Sequence, residues 1–506
     1  MFLRTGLVSF GLLLASRLLG LLRETAQAAA LGTSGLADLA VLMLTLPDLL
    51  TGVLAAGALS YVLLPLWARQ PPALQAATQS RLGRILLATG LLVGAGLVAA
   101  PELIVGLLAP GLSAGARVSA QLALGWSALA LPLALLAALW TTRLQHRRDF
   151  TGMYGANLVV NAAVIGALGL VAASWAKLPV GPVVLLGLGL LLGGALRLVW
   201  LHWRLARTRE PVAPDAAPAP NSAPTWPRPN VWLWALASAG LPLLLPLLGR
   251  SLASGGGEGA LTTFNYAWKL VELPLVLAVQ LVATLSFPAL ARVFAATPPL
   301  DAAASAAHRE QQQAVLRQAF TLAWVLACAA AAALSAMSLP LAQLLYGWGR
   351  MTPEAVQQVA AWSRIGAWSL LPQALLAVLL TLMASTGRLR GAVHAYLGAL
   401  AVLALLGWVA HQQGGLDGRV VMWGINAALT LAAGLLWWRE RGFLQGVLRG
   451  RDTAVPALAA ALLAVACSQL PTPERLPGLG LALLIAAAVV ALTLLVSPAL
   501  RLAVRR

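Results

Sequence analysis

The sequence predicts an all-α, polytopic membrane protein with about fourteen membrane-spanning helices. Its 506 residues are 60% hydrophobic and 10% charged, and the mean hydropathy is +0.84. Soluble domains carry about 25% charged residues. Apolar runs long enough to cross roughly 30 Å of hydrocarbon recur along nearly the whole chain. Little sequence remains for a soluble domain, so catalysis on a water-soluble substrate is not expected.

Polar residues, prolines and glycines bound the apolar runs and define their order along the chain. The fourteen predicted spans lie near residues 5–28, 36–66, 85–108, 118–141, 151–174, 179–203, 231–250, 261–290, 316–346, 355–384, 391–411, 419–438, 454–470 and 478–499. A Pro- and Ala-rich stretch at residues 207–230 is typical of a flexible linker. It separates six spans from eight. The first span resembles a signal peptide, but its three internal charges indicate a retained helix.

The basic residues of the predicted loops indicate the orientation of the chain. With the N-terminus in the cytoplasm, one set of alternate loops holds 23 Lys and Arg residues and the opposite set holds six. Because Lys and Arg accumulate in cytoplasmic loops, we expect both termini in the cytoplasm. The net charge of +18 is spread over many short loops, which argues against a nucleic-acid-binding surface.

Spans 2 and 8 carry similar short patterns, which predict an internal repeat. The paired motifs are Leu46-Pro47 with Leu273-Pro274, Leu59-Ser60 with Leu285-Ser286, and Ala68-Arg69 with Ala291-Arg292. Both spans run toward the cytoplasm in this topology, as parallel repeats require, and such repeats often place the substrate site at their interface. The prolines also free backbone carbonyls and favour bends beside a cavity.

Charged side chains inside the first span are the strongest functional signal. A charge at membrane depth costs several kcal/mol unless it faces water or a partner. Arg17 lies about 18 Å along the helix from Thr5 and shares a face with Glu24, whereas Arg23 points elsewhere. Arg23 and Glu24 lie nearer the outer end, where extension to the water interface is an alternative role. That alternative is weaker for Arg17.

Two acidic residues of span 2 are further candidates. Asp38 lies near the outer end of the span, where it fits an ordinary helix-end residue or the partner of an arginine of span 1. Asp48 lies deeper and follows Pro47. This order fits the cap of a helix that restarts there.

Later spans contribute more charges. Lys269 and Glu272 are three residues apart on one face of span 8, which fits an intrahelical ion pair. The alternative is that Lys269 faces a cavity and Glu272 tunes it. Arg197 and Arg364 are weaker candidates, because each lies closer to a membrane surface.

Arg17, Arg23 and Lys269 together predict a basic, water-filled cavity for an anion. Guanidinium groups grip phosphate or pyrophosphate through paired N–H donors. The sequence contains no metal-binding cluster, phosphate-binding glycine loop or hydrolase motif. We therefore expect no metal, no cofactor and no ATP hydrolysis, and transport driven by an ion gradient or the membrane potential, or running downhill.

Short motifs along most of the chain carry a family resemblance. They are Ser16-Arg17-Leu18-Leu19-Gly20-Leu21-Leu22-Arg23-Glu24, Asp38, Leu46-Pro47-Asp48-Leu49-Leu50, Gly57-Ala58-Leu59-Ser60, Pro65, Asn157, Asn161, Gly193-Gly194 and Tyr266-Ala267-Trp268-Lys269-Leu270-Val271-Glu272-Leu273-Pro274. Together they resemble the lipid II flippases called MurJ or MviN, of the multidrug/oligosaccharidyl-lipid/polysaccharide exporter superfamily. The count of fourteen spans agrees with that family.

The resemblance implies two six-helix lobes around a central cationic cavity, with a last pair of helices that forms a groove for a polyprenyl tail. In this chain the lobes would be residues 1–206 and 231–445, joined by the linker at 207–230, and the last pair would be residues 446–506. The implied activity is movement of lipid II, an undecaprenyl-pyrophosphate-linked peptidoglycan precursor, across the bacterial inner membrane by alternating access, without enzymatic chemistry.

The resemblance also implies roles for the embedded charges. Arg17, Arg23 and Lys269 would bind the pyrophosphate, and the gates or ion pairs would be formed by Glu24, Asp38, Asp48 and Glu272. The expected partners are lipid II, membrane lipids and a coupling ion or the membrane potential, and the expected state is a monomer.

Three departures from the family pattern reduce the expected charge of the cavity. Thr51-Gly52 stands where the family has an arginine, and Ala56 where it has a glutamate. The loop after span 10, residues 385–390, lacks an expected aspartate and proline. Two alternatives therefore stay open: a flippase for another polyprenyl-linked saccharide, and a cation-coupled drug exporter of the same superfamily. The exporter should carry acidic cavity residues, which Arg17 and Lys269 argue against.

Overall fold

The computed structural model describes most of the chain. The described residues are 2–174, 181–208, 226–280, 282, 286, 290, 293–294, 302–386, 388–414, 416–444, 446–447, 450–469, 471, 473–496 and 501. Within these residues all regular structure is helical and no strand is found. The predicted all-α fold is confirmed.

The helices follow one another with short connections. The first nine are α1 (Phe2–Leu31), α2 (Gly35–Val53), α3 (Leu59–Trp67), α4 (Pro72–Ala99), α5 (Pro101–Leu108), α6 (Ala114–His146), α7 (Phe150–Ser174), α8 (Pro182–Arg207) and α9 (Pro229–Ser254). The others are α10 (Ala260–Pro274), α11 (Ala302–Ala336), α12 (Ser338–Tyr346), α13 (Pro353–Gly366), α14 (Leu370–Ser385), α15 (Arg390–Gln412), α16 (Gly418–Arg439), α17 (Arg441–Leu444), α18 (Gly450–Ser468) and α19 (Arg475–Val496).

The described helices include twelve stretches long and apolar enough to cross a membrane. Each coincides with a predicted span. The two other predicted spans, 5–28 and 261–290, coincide with α1 and with α10 plus the π-helix Leu275–Gln280 that follows it. Most of residues 281–290 lie outside the described part of the chain. The polytopic prediction is confirmed, while the orientation of the termini stays a prediction.

Several predicted spans are divided in the structure. Span 3 consists of α4 and α5, which meet at Ala100-Pro101, and span 10 is interrupted by the 3-10 turn Ala367–Ser369. Span 2 contains a π-helix, Leu54–Ala58, between α2 and α3. Hydropathy merges these pieces because it records apolar length and is insensitive to a local change of hydrogen-bond pattern.

Clustering of backbone contacts divides the protein into two compact units. The first consists of Met1–Leu244, Gly257–Thr262 and Trp348–Met351, and the second of Leu245–Gly256, Thr263–Gly347 and Thr352–Arg506. The predicted division into lobes at 1–206, 231–445 and 446–506 stays a prediction. Most of the predicted linker, residues 209–225, lies outside the described residues.

Small residues bring the helices of the first unit into close contact. A Cβ at Gly90 of α4 would lie 2.8 Å from Pro132 Cα of α6, and a Cβ at Gly193 of α8 would lie 3.2 Å from Ala163 Cβ of α7. Glycine at these positions lets the backbones approach, as is common between membrane helices. In the second unit, α11 packs against α18 and α19 around a cluster that includes Cys328.

Pro47 lies inside α2, and the carbonyl it frees is bound by a neighbouring helix. Proline has no N–H group, so the carbonyl of Met43, four residues earlier, loses its intrahelical donor. The hydroxyl of Ser127 in α6 donates to Met43 O at 2.5 Å, and both residues are buried. The freed carbonyl therefore joins α2 to α6, and α2 continues as a helix to Val53.

Replacing Ser127 with alanine should destabilise the first unit by about 1–3 kcal/mol, because a buried carbonyl is left without a donor. The measurement is thermal unfolding of the purified protein in detergent. Ser238→Ala is the matched control, since the Ser238 hydroxyl donates to Ala235 O within α9, where the carbonyl keeps its intrahelical donor. Equal unfolding temperatures for the two variants would contradict this account of Pro47.

Candidate functional site

Three charged residues of α1 and α2 form an ion-pair cluster in the first unit. Arg23 Nη2 donates to Glu24 Oε1 at 2.9 Å and to Asp48 Oδ2 at 3.2 Å. The side chains of Arg23 and Glu24 are 12% and 5% exposed, so neither extends to an interface, while that of Asp48 is 55% exposed. Asp48 does not cap a restarted helix, because α2 passes through Pro47 without interruption. It is instead the long-range partner of Arg23.

Arg17 lies almost two turns before Arg23 on α1 and is exposed. A Cβ at Gly20, one turn further along α1, would lie 3.8 Å from Asn161 Nδ2 of α7. None of the ion pairs found among the described residues includes Arg17. Arg23 is thus held by two carboxylates, whereas Arg17 takes part in none of the described ion pairs.

Asp38 binds the N-terminus of α10. Its carboxylate accepts hydrogen bonds from Gly259 N at 2.7 Å, Thr262 N at 2.9 Å and Thr262 Oγ1 at 2.6 Å. The first N–H groups of a helix lack intrahelical acceptors and carry partial positive charge, so a buried carboxylate stabilises them. The predicted alternatives for Asp38, an ordinary helix end or the partner of an arginine, do not describe this contact.

Glu258 returns the same contact to α2. Its Oε1 accepts from Gly35 N, the first residue of α2, at 2.8 Å. The Ser34 hydroxyl accepts from Ala37 N in the same turn. Asp38, which belongs to α2, therefore binds the N-terminus of α10, and Glu258, which precedes α10, binds the N-terminus of α2. These two residues are called the carboxylate caps. The sequence analysis did not single out Glu258, which lies in the short loop between α9 and α10.

Close backbone contacts surround the carboxylate caps. Arg350 N donates to Ala29 O, the end of α1, at 2.9 Å. Gly259 and Gly349 have positive φ angles of 79° and 60°, and a side chain at either would overlap a carbonyl oxygen, of Thr33 or Ala29 respectively. Only glycine combines such a φ angle with this proximity at low cost. These segments are held by backbone geometry as well as by the two carboxylates.

Lys269 and Glu272 form an ion pair on α10 in the second unit. Lys269 Nζ lies 2.7 Å from Glu272 Oε2, and the two side chains are 28% and 35% exposed. This is the intrahelical pair that the spacing predicted. One turn earlier, the ring of Tyr266 stacks on that of Tyr346 with 4.8 Å between centroids. The Tyr346 hydroxyl donates to Tyr266 O at 3.3 Å, which fixes this part of α10 against α12.

Arg197 and Arg364, the weaker candidates, differ in their surroundings. Arg364 is exposed on the last turn of α13. Arg197 of α8 is buried, and its Nε has no hydrogen-bond partner among the described residues. The sequence analysis ranked Arg197 low because it considered depth along the helix. The burial of Arg197 comes from the packing of α8 and has no signal in the hydropathy of one span.

A comparison with models of protein families identifies the family. The model described as "Lipid II flippase MurJ" matches residues 27–471 of this chain. The chain belongs to the lipid II flippase MurJ family. The resemblance inferred from short motifs is confirmed, and with the apolar helices it makes this MurJ-family member a multi-pass protein of the bacterial inner membrane.

Curated relatives carry the same family name. The probable lipid II flippase MurJ of Rhizobium meliloti (strain 1021) is 29% identical over 359 residues, which cover 68% of this chain and 63% of that relative. The lipid II flippase MurJ of Burkholderia cenocepacia is 26% identical over 449 residues, covering 86% of this chain and 83% of the relative. The chain thus spans less than two thirds of the length of the R. meliloti relative.

Solved structures with the same fold include a lipid II flippase MurJ in an inward closed conformation. It superposes with a TM-score of 0.79 at 15% identity, covering 97% of this chain and 98% of that one. An outward-facing multidrug resistance MATE family transporter of the MOP superfamily gives a TM-score of 0.60 at 15% identity, with coverage of 87% and 95%. At these identities the likeness shows the fold alone.

The structure shows where the three departures of this MurJ-family chain from the expected pattern lie. Thr51 and Gly52 lie in the last turn of α2, and Ala56 lies in the π-helix Leu54–Ala58. In the loop after α14, Arg388 Nη1 donates to Glu440 Oε2 at 2.8 Å, and Glu440 is almost fully buried. Arg388 therefore has a carboxylate partner, Glu440, at the end of α16.

Proposed function

We propose that this protein moves lipid II, the undecaprenyl-pyrophosphate-linked peptidoglycan precursor, from the cytoplasmic to the periplasmic leaflet of the bacterial inner membrane. The observation that carries the proposal is membership of the MurJ family over residues 27–471. The curated relatives from R. meliloti and B. cenocepacia bear the same functional name. The proposed step moves a lipid and breaks no covalent bond.

The diphosphate head group is the part of this substrate that hydrocarbon rejects, because an unpaired charge at the bilayer centre is costly. We assign its neutralisation in the first unit to Arg17 and Arg23. Arg17 supports this role, since it is exposed within α1 and takes part in no ion pair found among the described residues. Arg23 is held by Glu24 and Asp48, so it becomes available only when a carboxylate is exchanged for phosphate.

Lys269 is assigned a role as a further contact to the diphosphate. Its pairing with Glu272 is compatible with that role, because both side chains remain about one third exposed, and a partly exposed ion pair is weak, at roughly 0–1 kcal/mol. An arriving phosphate can therefore replace the carboxylate at low cost. Glu272 then serves to hold Lys269 in place between transport events.

The carboxylate caps are proposed as an outer gate. Asp38 and Glu258 neutralise the N-termini of α10 and α2 with four hydrogen bonds. Hydrogen bonds to charged groups contribute about 1.5–3 kcal/mol each. Opening toward the periplasm would require these contacts to separate, so the caps favour the closed outer end until substrate binding or a coupling ion supplies the difference.

The remaining assignments follow the domain prediction. We propose that residues 1–206 and 231–445 are the two lobes and that α18 and α19, in residues 446–506, accompany the polyprenyl tail. Leu458, Leu462 and Val465 of α18 are more than 60% exposed, as expected for side chains that face lipid tails. A monomer driven by an ion gradient or the membrane potential is sufficient for this mechanism.

The test is replacement of an essential flippase by this protein. Cells depleted of their own lipid II flippase should grow when this chain is expressed, and labelled lipid II should become accessible to a periplasmic reagent. An insertion-competent chain with Arg17 and Lys269 both changed to alanine is the control. Failure of the inserted wild-type chain to expose lipid II would overturn the proposal. Exposure of a different polyprenyl-linked saccharide would assign the alternative substrate.

The drug-exporter alternative has less support. The likeness to MATE transporters rests on fold at 15% identity, and the cations at Arg17 and Lys269 suit an anionic substrate. Efflux of cationic drugs by this protein, without exposure of lipid II, would be the result that favours it.

A further inference from the structure

Arg197 is a buried arginine within the apolar helix α8. It lies about 22 Å along α8 from Pro182 and about 15 Å before Arg207. It is 9% exposed, and its buried Nε has no hydrogen-bond partner among the described residues. A guanidinium in such a place is destabilising unless an anion compensates it.

The neighbours of Arg197 on α8 show that it points into the first unit. Gly193 packs on α7 and Gly194 on α6, where Cβ atoms would lie 3.2 Å from Ala163 Cβ and from Leu133 Cδ1. The lipid-facing side of α8 is marked by Leu192, Leu196 and Val199, which are all well exposed. Arg197 thus lies on the packed side of the helix.

The helix that contains Asp48, α2, packs against α8, and the carboxylate of Asp48 is close enough to attract the charge of Arg197. The same carboxylate makes the 3.2 Å contact to Arg23. Asp48 therefore interacts with an arginine of α1 and with an arginine of α8. It accepts a long hydrogen bond from Arg23 and attracts Arg197 electrostatically. Because its side chain is 55% exposed, it can turn away without becoming buried elsewhere.

We propose that Asp48 occupies the place of a substrate phosphate between Arg23 and Arg197, and that Arg197 contacts the diphosphate once Asp48 is displaced. This inference rests on the proposed function and adds a substrate-contacting residue to it. A diphosphate diester carries one negative charge on each phosphate, whereas Asp48 brings one in total. Two phosphates can therefore bind both guanidinium groups at once, each through a pair of N–H donors. A single carboxylate has to share its two oxygens between the two guanidinium groups.

This arrangement explains why a flippase would keep a carboxylate beside its substrate-binding cations. In the empty protein Asp48 limits the repulsion between Arg23 and Arg197. In the loaded protein its departure leaves the two cations to the phosphates. Glu24, which is buried next to Arg23, stays in place and orients that guanidinium.

The test is binding of farnesyl diphosphate to the purified full-length protein in detergent, with farnesyl monophosphate as comparison. Arg197→Gln should weaken binding of the diphosphate about tenfold or more, and Asp48→Asn should tighten it, because a competitor of like charge is removed. Arg197→Lys keeps the charge without the paired donors, so an intermediate affinity is expected. Arg84→Gln on the exposed side of α4 is the matched control and should bind as the wild type does.

The double variant Arg197→Gln/Asp48→Asn separates the two possible roles of Arg197. If Arg197 contacts the diphosphate, the double variant binds more weakly than Asp48→Asn alone, by a factor similar to that of Arg197→Gln in the wild type. If Arg197 only neutralises Asp48, the double variant binds the diphosphate as well as Asp48→Asn alone does, and the inference is overturned. Should Arg197→Gln fail to fold, the comparison of Arg197→Lys with and without Asp48→Asn decides in the same way.

Failure of the proposed function has a different signature. A wild-type protein that binds neither diphosphate nor lipid II contradicts the proposed function and this inference together. A wild-type protein that binds both, but whose Arg197 variants bind equally well, contradicts the inference alone.

Discussion

Replacing Arg17 with alanine should abolish rescue of cells depleted of their own lipid II flippase, while the protein still inserts in the membrane. No carboxylate pairs with Arg17 among the described ion pairs. Loss of one charge-assisted contact to a desolvated diphosphate costs about 2–5 kcal/mol. Transport should therefore fall by more than about thirtyfold. The measurements are growth and the exposure of labelled lipid II.

Two variants control for loss of folding. Arg17→Lys retains the charge but loses the paired donors, and partial activity is expected. Arg84→Ala, at an exposed position of α4, should leave growth unchanged. Lys269→Ala should reproduce the defect of Arg17→Ala, because both cations are assigned to the same substrate group. Full growth of both alanine variants would remove the cationic binding site from the mechanism.

Replacing Asp38 with alanine should shift the protein toward a conformation that is open at the outer end. Three hydrogen bonds to a buried carboxylate are lost, and two of the donors are backbone groups of a helix N-terminus. Even one unsatisfied buried donor costs about 1–3 kcal/mol, which changes a two-state equilibrium by roughly five- to 150-fold. Labelling of a cysteine at Ala29 by a membrane-impermeant reagent, in a variant without Cys328 and Cys467, measures the shift.

The partner cap supplies the control for Asp38. Glu258→Gln removes the charge from a cap that accepts one hydrogen bond among the described residues, from Gly35 N, so a smaller rise in labelling is expected. Combining both changes should add little once the gate is open. Unchanged labelling at Ala29 in the Asp38→Ala protein would show that the caps stabilise helix ends without controlling access.

The helical fold could be read from the sequence because a membrane leaves the backbone few choices. Each backbone donor must be satisfied within its own segment, so apolar length alone locates the spans. The breaks at Ala100, at Ala367–Ser369 and at the two π-helices were not predicted. The break at Ala100 precedes Pro101, the first residue of α5, a local signal that hydropathy does not record. Hydropathy also contains no record of contacts between helices, such as that of Ser127 with the carbonyl of Met43.

The sequence identified the charged residues and the Lys269–Glu272 pair, whereas it did not predict the long-range partners of Arg23 and Asp38. Arg17, Arg23 and Lys269 stand out because charge is rare in apolar segments. The partner of Arg23 is 25 residues away, and that of Asp38 is more than 220 residues away, beyond the reach of helical periodicity. Glu258 lies in a loop, where an acidic residue is unremarkable in sequence. Its importance comes from the N–H group of Gly35 that it meets.

The π-helix at Leu54–Ala58 gives α3 its angular position. Each residue inserted into or deleted from an α-helix rotates everything beyond it by about 100°, and a π turn accommodates one such residue locally. Beyond this turn, Ser60 reaches Gln145 at 2.8 Å, and Trp67 lies under the guanidinium of Arg143 at 4.9 Å. A relative shorter by one residue here could keep both contacts by forming an uninterrupted helix. Length differences in homologues should therefore be tolerated at this turn and disruptive a few residues to either side.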